Sequence, residues 1–296
     1  MSALATVEFA VTPSEVLGQL EAKLSQVFRR SYDRLWRPVF DRAKAFDPSA
    51  RVTIHEAREL IDTLLWQANN EPIRVDMQRR TATIIGSLAK AGLVDVDGEI
   101  REVLRGVRAS VALEIPNPYR VNLDDALLYE SAAGQLVHDH LQAGADQISE
   151  TIIRGLRQGV DDKAIGERIH KLGMTRLRSH ADTWARTETT RWYTLGRTRM
   201  AEEAGDAVWG YEYVVILDDR TTDICRAFVG KRVAKDAIRE FPPFHWNCRT
   251  GVRAIMAEWV TGKDPERNLL GDDVAPAEGW GGDPRGAILR ATGGLP

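Results

Sequence analysis

The chain has 296 residues, of which 43% are hydrophobic and 28% are charged, and its net charge is −3. This composition is typical of a globular protein with a real core, and it excludes a strongly cationic chain, so nucleic-acid contact would need a local basic patch. Two cysteines exclude a disulfide scaffold and favour a reducing cytoplasm. The sequence has no signal-peptide pattern and no apolar run of roughly 20 residues, so we expect no membrane contact.

Helix-start signals and amphipathic spacing predict four helices in the first 115 residues. The first two begin with capping boxes at Thr12 and Thr53, and the other two cover 73–91 and 98–113. A linker is expected at 115–119, which reads Ile-Pro-Asn-Pro-Tyr, because two prolines two residues apart cannot continue a helix. The sequence therefore predicts a helical module over this part of the chain.

Four more helices are predicted after the linker, over 122–141, 145–157, 162–171 and 175–204. In the last of them Glu188 interrupts an aromatic stripe that contains Trp184 and Trp192. A buried carboxylate needs a partner, so Glu188 is expected to pair with a core arginine or to lie beside the cysteine and histidine residues discussed below. His138 and His140 are two residues apart and point in different directions on a helix, so they make a poor metal pair.

The hydrophobic period changes from that of a helix to that of a strand after Gly205. Alternation over 209–215 predicts a strand with one buried face. The segments 225–229 and 248–255 are predicted to complete a small antiparallel sheet, and 233–239 is expected to form one or two helical turns.

The last 36 residues contain eight glycines and four prolines with little periodicity, which predicts a flexible tail. The expected fold class is therefore α+β, with a mainly helical N-terminal region followed by a helical and small antiparallel-sheet domain. The three expected regions are a helical module over 1–115, the α+β domain over 121–257 and the tail over 261–296.

Both cysteines of the chain lie in one short segment together with a histidine, as Cys225, His245 and Cys248. These are zinc-binding residue types, and the His-x-x-Cys spacing suits a tight turn that Pro242 and Pro243 stiffen. A closed structural zinc site needs a fourth ligand, for which the weak candidates are Asp219, the neighbouring aspartates 218 and 223, or water. An open fourth position would instead be typical of a catalytic zinc.

Two other interpretations of this segment stay open. Cys225 or Cys248 could act as a nucleophile with His245 as its base, which requires a lowered thiol pKa and a pocket that the sequence does not show. Alternatively, the cysteines and the histidine pack a small sheet, while Asp218 and Asp219 make turn hydrogen bonds.

The order of several motifs resembles the phage Mu F-like, or phage head-morphogenesis, minor capsid family over about 145–255. The motifs are Trp-Ala-Arg-Thr-Glu at 184–188, Leu-Gly-Arg at 195–197, Asp-Arg-Thr at 219–221 and Pro-Pro-Phe-His-Trp-Asn-Cys-Arg at 242–249. The residues of the structural motif are Arg186, Thr187, Glu188, Pro242, Pro243 and Arg249. Relatives of this kind carry cysteines where this chain has Thr222 and Thr250, so the resemblance implies a reduced metal-ligand set.

The resemblance implies a minor head protein of a tailed phage or prophage, with no catalysis. Such a protein binds the portal protein at the portal vertex during procapsid assembly in the host cytoplasm, and it ends inside the head of the virion. The module 1–115 is the region expected to dock on the portal. Major capsid protein, scaffolding protein and packaged DNA are the other expected partners.

Two alternatives from other functional classes follow from the residues. The first is a metal-dependent hydrolase or nuclease that uses Cys225, His245 and Cys248 with Glu188 or Asp219 as a nearby carboxylate. The second is DNA binding by the segment 154–200, in which eleven lysines and arginines face five acidic residues. A solvated arginine face explains the same charge excess.

Overall fold

The computed structural model describes residues 15–44, 59, 62–63, 71–106, 126–160, 162–172, 178–257, 268–271, 273–278 and 280–282. The helices are α1 (Glu15–Lys44), α2 (Glu71–Gly106), α3 (Ala126–Arg157), α4 (Asp162–Lys171), α5 (Arg178–Glu203) and α6 (Asp223–Ala227). The strands are β1 (Val208–Val214), β2 (Arg232–Ala234) and β3 (Gly251–Met256), and short 3-10 helices cover Gly205–Ala207 and Lys235–Ala237. The predicted α+β fold class is confirmed.

Two helix boundaries predicted at glycines are wrong. Helix α2 continues through Gly92 and Gly98 to Gly106, so the predicted helix 73–91 and the described part of the predicted helix 98–113 are one helix. Helix α3 likewise continues through Gly144, which was expected to separate 122–141 from 145–157. A glycine costs a helix only about 1 kcal/mol, which tertiary packing readily offsets. The helix starts at Thr12 and Thr53 and the linker at 115–119 lie outside the described residues.

The sheet has the order β2-β1-β3, and both strand pairs are antiparallel. Tyr211 in the central strand faces Val233 on one side and Ala254 on the other. The strands predicted at 209–215 and 248–255 are thereby confirmed as β1 and β3.

The strand predicted at 225–229 is wrong, because its first three residues belong to helix α6 and the other two form a turn. The side chain of Thr222 caps this helix by accepting a hydrogen bond from the backbone N–H of Cys225, at 3.3 Å. The second strand lies instead at Arg232–Ala234 and overlaps the start of the segment 233–239 that was expected to be helical, where only Lys235–Ala237 forms a helical turn. The cap at Thr222 thus favours a helix here, although the short apolar run alone predicted a strand.

The chain divides into two compact units, and each draws on both sides of the predicted linker. Of the described residues, those within 21–87 and 122–188 form the helical unit, and those within 1–20, 88–121 and 189–283 form the sheet unit. The division into the functional regions 1–115, 121–257 and 261–296 stays a prediction.

An aromatic core and several polar pairs stabilise the helical unit. The ring of His140 lies edge-on to Phe28 and Trp184, at centroid distances of 4.4 and 5.1 Å. Ser25 and Arg29 both donate hydrogen bonds to the carboxylate of Asp182 on α5. These contacts fix α1 to α3 and α5.

A close helix crossing supports the sheet unit. A Cβ atom at Gly92 of α2 would overlap the carbonyl oxygen of Tyr193, and one at Gly196 of α5 would overlap that of Ala89. Each glycine therefore lets the backbone of one helix touch the other. This contact explains why α2 continues through Gly92 instead of ending there.

Part of the segment predicted as a flexible tail lies against the sheet unit. Leu269 forms a parallel bridge with Arg232, and the N–H of Leu270 donates to the Arg232 carbonyl at 2.9 Å. Trp280 packs edge-on against Trp246 at 4.9 Å between ring centroids.

Within the described part of the chain, none of the helices is both long and apolar enough to cross a membrane.

Candidate metal centre

The side chains of Cys225, His245 and Cys248 converge in the sheet unit. Their ligand atoms all lie within 4.8 Å of one another, and we call these three residues the thiol–imidazole cluster. The Sγ atom of Cys225 lies 2.9 Å from Nε2 of His245 and 3.8 Å from Sγ of Cys248. Both cysteines are buried and His245 is half-buried. The structure therefore brings together the three residues that the sequence singled out.

Aromatic packing holds the two segments of the cluster against each other. Phe228, directly after α6, stacks on Phe244 with ring centroids 4.0 Å apart, and both rings are fully buried. Cys225 lies three residues before the first ring, and Cys248 lies four residues after the second. The Thr190 hydroxyl of α5 also donates to the Cys248 carbonyl at 2.8 Å. The positions of the two thiols thus follow from the packing of their neighbours.

A backbone hydrogen bond orients the ring of His245. Its Nδ1 donates to the carbonyl oxygen of Trp246 at 2.6 Å, because a carbonyl can only accept. The other ring nitrogen, Nε2, then faces Cys225. Histidines that bind metals commonly donate their second nitrogen to a carbonyl or carboxylate in this way.

The two thiols of the cluster differ in their pKa, so the negative charge lies on Cys225 and not on Cys248. The thiol of Cys248 donates to Cys225, and this hydrogen bond, together with that from His245, lowers the pKa of Cys225 to about 4. The same contact and burial raise the pKa of Cys248. The Cys225 thiolate in turn raises the pKa of His245. Cys225 is therefore the anionic member of the cluster, which suits it to bind a cation.

Two threonines complete the surroundings of the cluster. The hydroxyl of Thr250 donates to Sγ of Cys225 at 3.1 Å, and the hydroxyl of Thr222 lies 3.0 Å from Nε2 of His245. These are the two positions at which the resemblance placed cysteines. Sequence reasoning identified them only as missing ligands, whereas the structure shows their hydroxyls in contact with the ligand atoms.

Carboxylates stay outside the cluster in the described part of the chain. Asp218 accepts two hydrogen bonds from the guanidinium of Arg249, at 2.6 and 2.7 Å, which lowers the pKa of its carboxyl group. Asp219 is exposed on the adjacent turn. Glu188 is 2% exposed and belongs to the helical unit. The cluster thus offers a metal three ligands.

The donor set fits zinc. Tetrahedral zinc with Zn–S bonds of about 2.3 Å separates two sulfur ligands by roughly 3.8 Å, and the two Sγ atoms here are 3.8 Å apart. A sulfur and a nitrogen ligand would lie roughly 3.5 Å apart, so His245 would withdraw slightly from Cys225 on metal binding. Soft thiolates and imidazole with an orienting carbonyl are the ligands that zinc prefers.

The remaining residues of the structural motif make packing and hydrogen-bond contacts within their own units. Arg186 pairs with Glu21 at 3.0 Å, and the hydroxyl of Thr187 donates to the carbonyl of Thr183. Pro242 and Pro243 are buried directly before Phe244. These contacts explain the motif by packing.

Arg197, in the Leu-Gly-Arg motif, is the buried residue whose role sequence reasoning missed. Its side chain is 2% exposed and donates to both carboxylate oxygens of Glu99, at 2.6 and 2.8 Å, and to the carbonyl of Val252 at 2.6 Å. It thereby joins α2 and α5 to β3. The only signal was the place of this arginine in the Leu-Gly-Arg motif.

The fold and the cluster together define a small α+β domain in which two chain segments meet at cysteine and histidine side chains beside a three-stranded sheet. Residues 146–253 match the family model described as phage Mu protein F like protein. The match is to a family of structural phage head proteins, and the resemblance seen in the sequence is confirmed over these residues. Comparison with curated proteins and with solved structures gives no match.

Proposed function

We propose that this protein is a minor head protein of a tailed phage or prophage that binds the portal vertex during procapsid assembly. The family match carries the proposal, because it covers the cluster and most of the sheet. The contacts of the motif residues, which are packing contacts, support a role in assembly. The alternative, a metal-dependent hydrolase or nuclease, would use Glu188 or Asp219 as a general base beside the same three ligands, whereas the cluster itself contains no carboxylate among the described residues.

Co-expression with the portal protein encoded in the same phage or prophage genome tests the portal contact. A tagged full-length chain is expected to retain the portal protein through affinity and size-exclusion chromatography. Procapsids assembled with the chain should contain it in few copies, and procapsids that lack a portal should not. Absence of the chain from portal-containing procapsids would refute the proposal.

We further propose that the cluster binds one zinc ion, which would hold α6 and the loop around His245 together. The three ligands are Cys225, His245 and Cys248, and when bound the ion would supply a structural link between distant segments. Elemental analysis of protein purified without chelator should give one zinc per chain. A chain that contains no zinc and does not take up added zinc would contradict this part of the proposal.

Contact with packaged DNA is the last part of the proposed function. In the segment 154–200, Arg186 and Arg197 form ion pairs with glutamates and are at least partly buried, whereas other cations are exposed, including Arg154, which pairs with Glu150. Among the described residues, exposed cations lie at the end of α3 and on α4, namely Arg154, Arg157, Lys163, Arg168 and Lys171. Such a patch can neutralise phosphates without reading sequence.

Fluorescence anisotropy with duplex DNA at two salt concentrations tests the DNA contact. Lys163→Glu combined with Lys171→Glu is expected to weaken binding and to flatten its salt dependence. Arg79→Glu combined with Lys23→Glu, at exposed positions on α2 and α1, is the control for an equal charge change on the same unit. Equal losses in the two variants would show that only net charge matters and would refute a DNA site on α4.

A further inference from the structure

The two thiols of the chain form a close, isolated pair. Sγ of Cys225 and Sγ of Cys248 are 3.8 Å apart, and the side chains are 4% and 0% exposed. They are the only cysteines in the sequence, so neither has another intramolecular thiol partner. A disulfide requires a sulfur–sulfur distance of about 2.05 Å. The two sulfur atoms therefore need to approach by less than 2 Å in total.

The packing around the pair brings the two backbone segments together before any bond forms. The Phe228–Phe244 stack joins α6 to the loop, and Tyr213 of β1 packs against both rings, at 5.1 and 5.8 Å between centroids. The Cys248 carbonyl is fixed by Thr190. Rotation of the two cysteine side chains, with little backbone movement, can then supply the remaining approach.

We propose that Cys225 and Cys248 are a reversible oxidation site, at which an intramolecular disulfide forms in place of metal binding. The reaction removes one hydrogen from each thiol and joins the two sulfur atoms. With a peroxide as the two-electron oxidant, hydrogen peroxide is reduced to two molecules of water. A small-molecule disulfide can serve as the oxidant instead, and it is then reduced to two thiols. The disulfide and a metal ion exclude each other, because both use the same two sulfur atoms.

Oxidation would preserve the link between α6 and the loop by a covalent bond. The bond closes a loop between positions 225 and 248, which restricts the unfolded chain. A protein that is assembled in a reducing compartment and later meets an oxidising one would thus keep this region closed without metal. The inference goes beyond the proposed head function and does not depend on portal binding.

Intact mass spectrometry of the full-length, metal-free protein tests the inference. Reduced protein is treated with hydrogen peroxide or with oxidised glutathione, denatured in acid and alkylated. The expected product is a monomer that is lighter by about 2 Da, takes up no alkylating reagent and returns to the reduced mass on treatment with a thiol. Peptide mapping should find the peptides of Cys225 and Cys248 linked.

Three comparisons separate the proposal from its alternatives. His245→Ala keeps both thiols and should still form the disulfide, although it loses a metal ligand. Protein loaded with zinc should resist the same oxidant. Cys248→Ser should form no intramolecular link and should instead gain mass, as a sulfenic acid or a glutathione adduct. Wild-type protein that stays reduced, gains oxygen atoms or forms only linked dimers would overturn the proposal.

Discussion

Two histidines in different units of the molecule show that burial alone does not create a ligand. His140 lies fully buried between Phe28 and Trp184, and loss of hydration lowers its pKa to about 3. His245 is only half-buried, and contact with Cys225 raises its pKa. The first is a neutral core residue, and the second faces an anionic sulfur. The neighbouring side chains decide which histidine can bind a cation.

The largest expected effect concerns zinc affinity. His245→Ala removes one of three ligands and should weaken zinc binding at least about 1,000-fold, or roughly 4 kcal/mol, because loss of an orienting outer residue alone costs 10- to 100-fold. Competition with a chromophoric chelator gives the affinity. His140→Leu, in the helical unit, and the exposed His138→Ala should leave it unchanged. A similar loss in either control would place the metal elsewhere.

The helix crossing in the sheet unit should be the next most sensitive feature. Gly196→Ala places a Cβ against the Ala89 backbone, and we expect it to reduce the free energy of unfolding by about 3 kcal/mol, since backbone atoms cannot move aside. Gly98→Ala is the matched control in α2, because its Cβ would meet open space. That change should stabilise the protein by about 0.5–1 kcal/mol. Chemical denaturation measures both, and equal effects would contradict the close crossing.

The pKa of His140 predicts a loss of stability in acid. Its value is about 3 in the fold and 6.5 in the unfolded chain, so the unfolded state binds the additional proton as the pH falls below 6.5. Each pH unit below 6.5 then lowers the free energy of unfolding by about 1.4 kcal/mol, which amounts to roughly 2.7 kcal/mol at pH 4.5. His140→Leu should flatten this part of the denaturation profile.

His245 should behave in the opposite direction. Its folded pKa is raised, so the stability that it adds is complete below pH 6.5 and is lost as the pH rises through the folded value. His245→Ala should therefore leave the decline between pH 6.5 and 4.5 in place. If His245→Ala rather than His140→Leu flattened this decline, the contrast between the two histidines would be wrong.

The smallest expected effect concerns the exposed turn beside the cluster. The hydrogen bond from Arg249 is the chief cause that lowers the pKa of Asp218. The stabilisation by this pair is therefore present at pH values above the ordinary pKa of an aspartate and is lost as the pH falls through the lowered pKa. Asp218→Asn should cause a small decrease in melting temperature at neutral pH and none in acid. Carboxyl chemical shifts followed by NMR titration should show the lowered pKa. Arg249→Gln should return it to the ordinary range.

Local patterns predicted much of the fold correctly. The change from helical to alternating period after Gly205 located β1, and apolar spacing located α4 and α5. The predictions for short segments were wrong where a single residue decides the local structure. Thr222, for example, caps a helix that includes the start of the predicted strand 225–229.

The candidate site was predictable in its residue types but not in its contacts. Cys225, His245 and Cys248 are the residues whose chemistry suits a metal, and the sequence places them in one segment. The contacts of Thr222 and Thr250 with this cluster depend on how α6 and the start of β3 pack, which no spacing rule contains. The buried Arg197–Glu99 pair joins residues 98 positions apart and was missed for the same reason.

The sequence by itself determined the α+β class, the match of residues 146–253 to the phage Mu F-like family model and the three ligand candidates, because these depend on local periodicity, residue chemistry and motif order. The tertiary structure alone decided that α2 and α3 continue through their glycines and that carboxylates stay outside the described cluster. It also decided that one histidine is a ligand candidate and another a core residue. The physical reason is that each of these outcomes depends on contacts between segments that are distant in the chain.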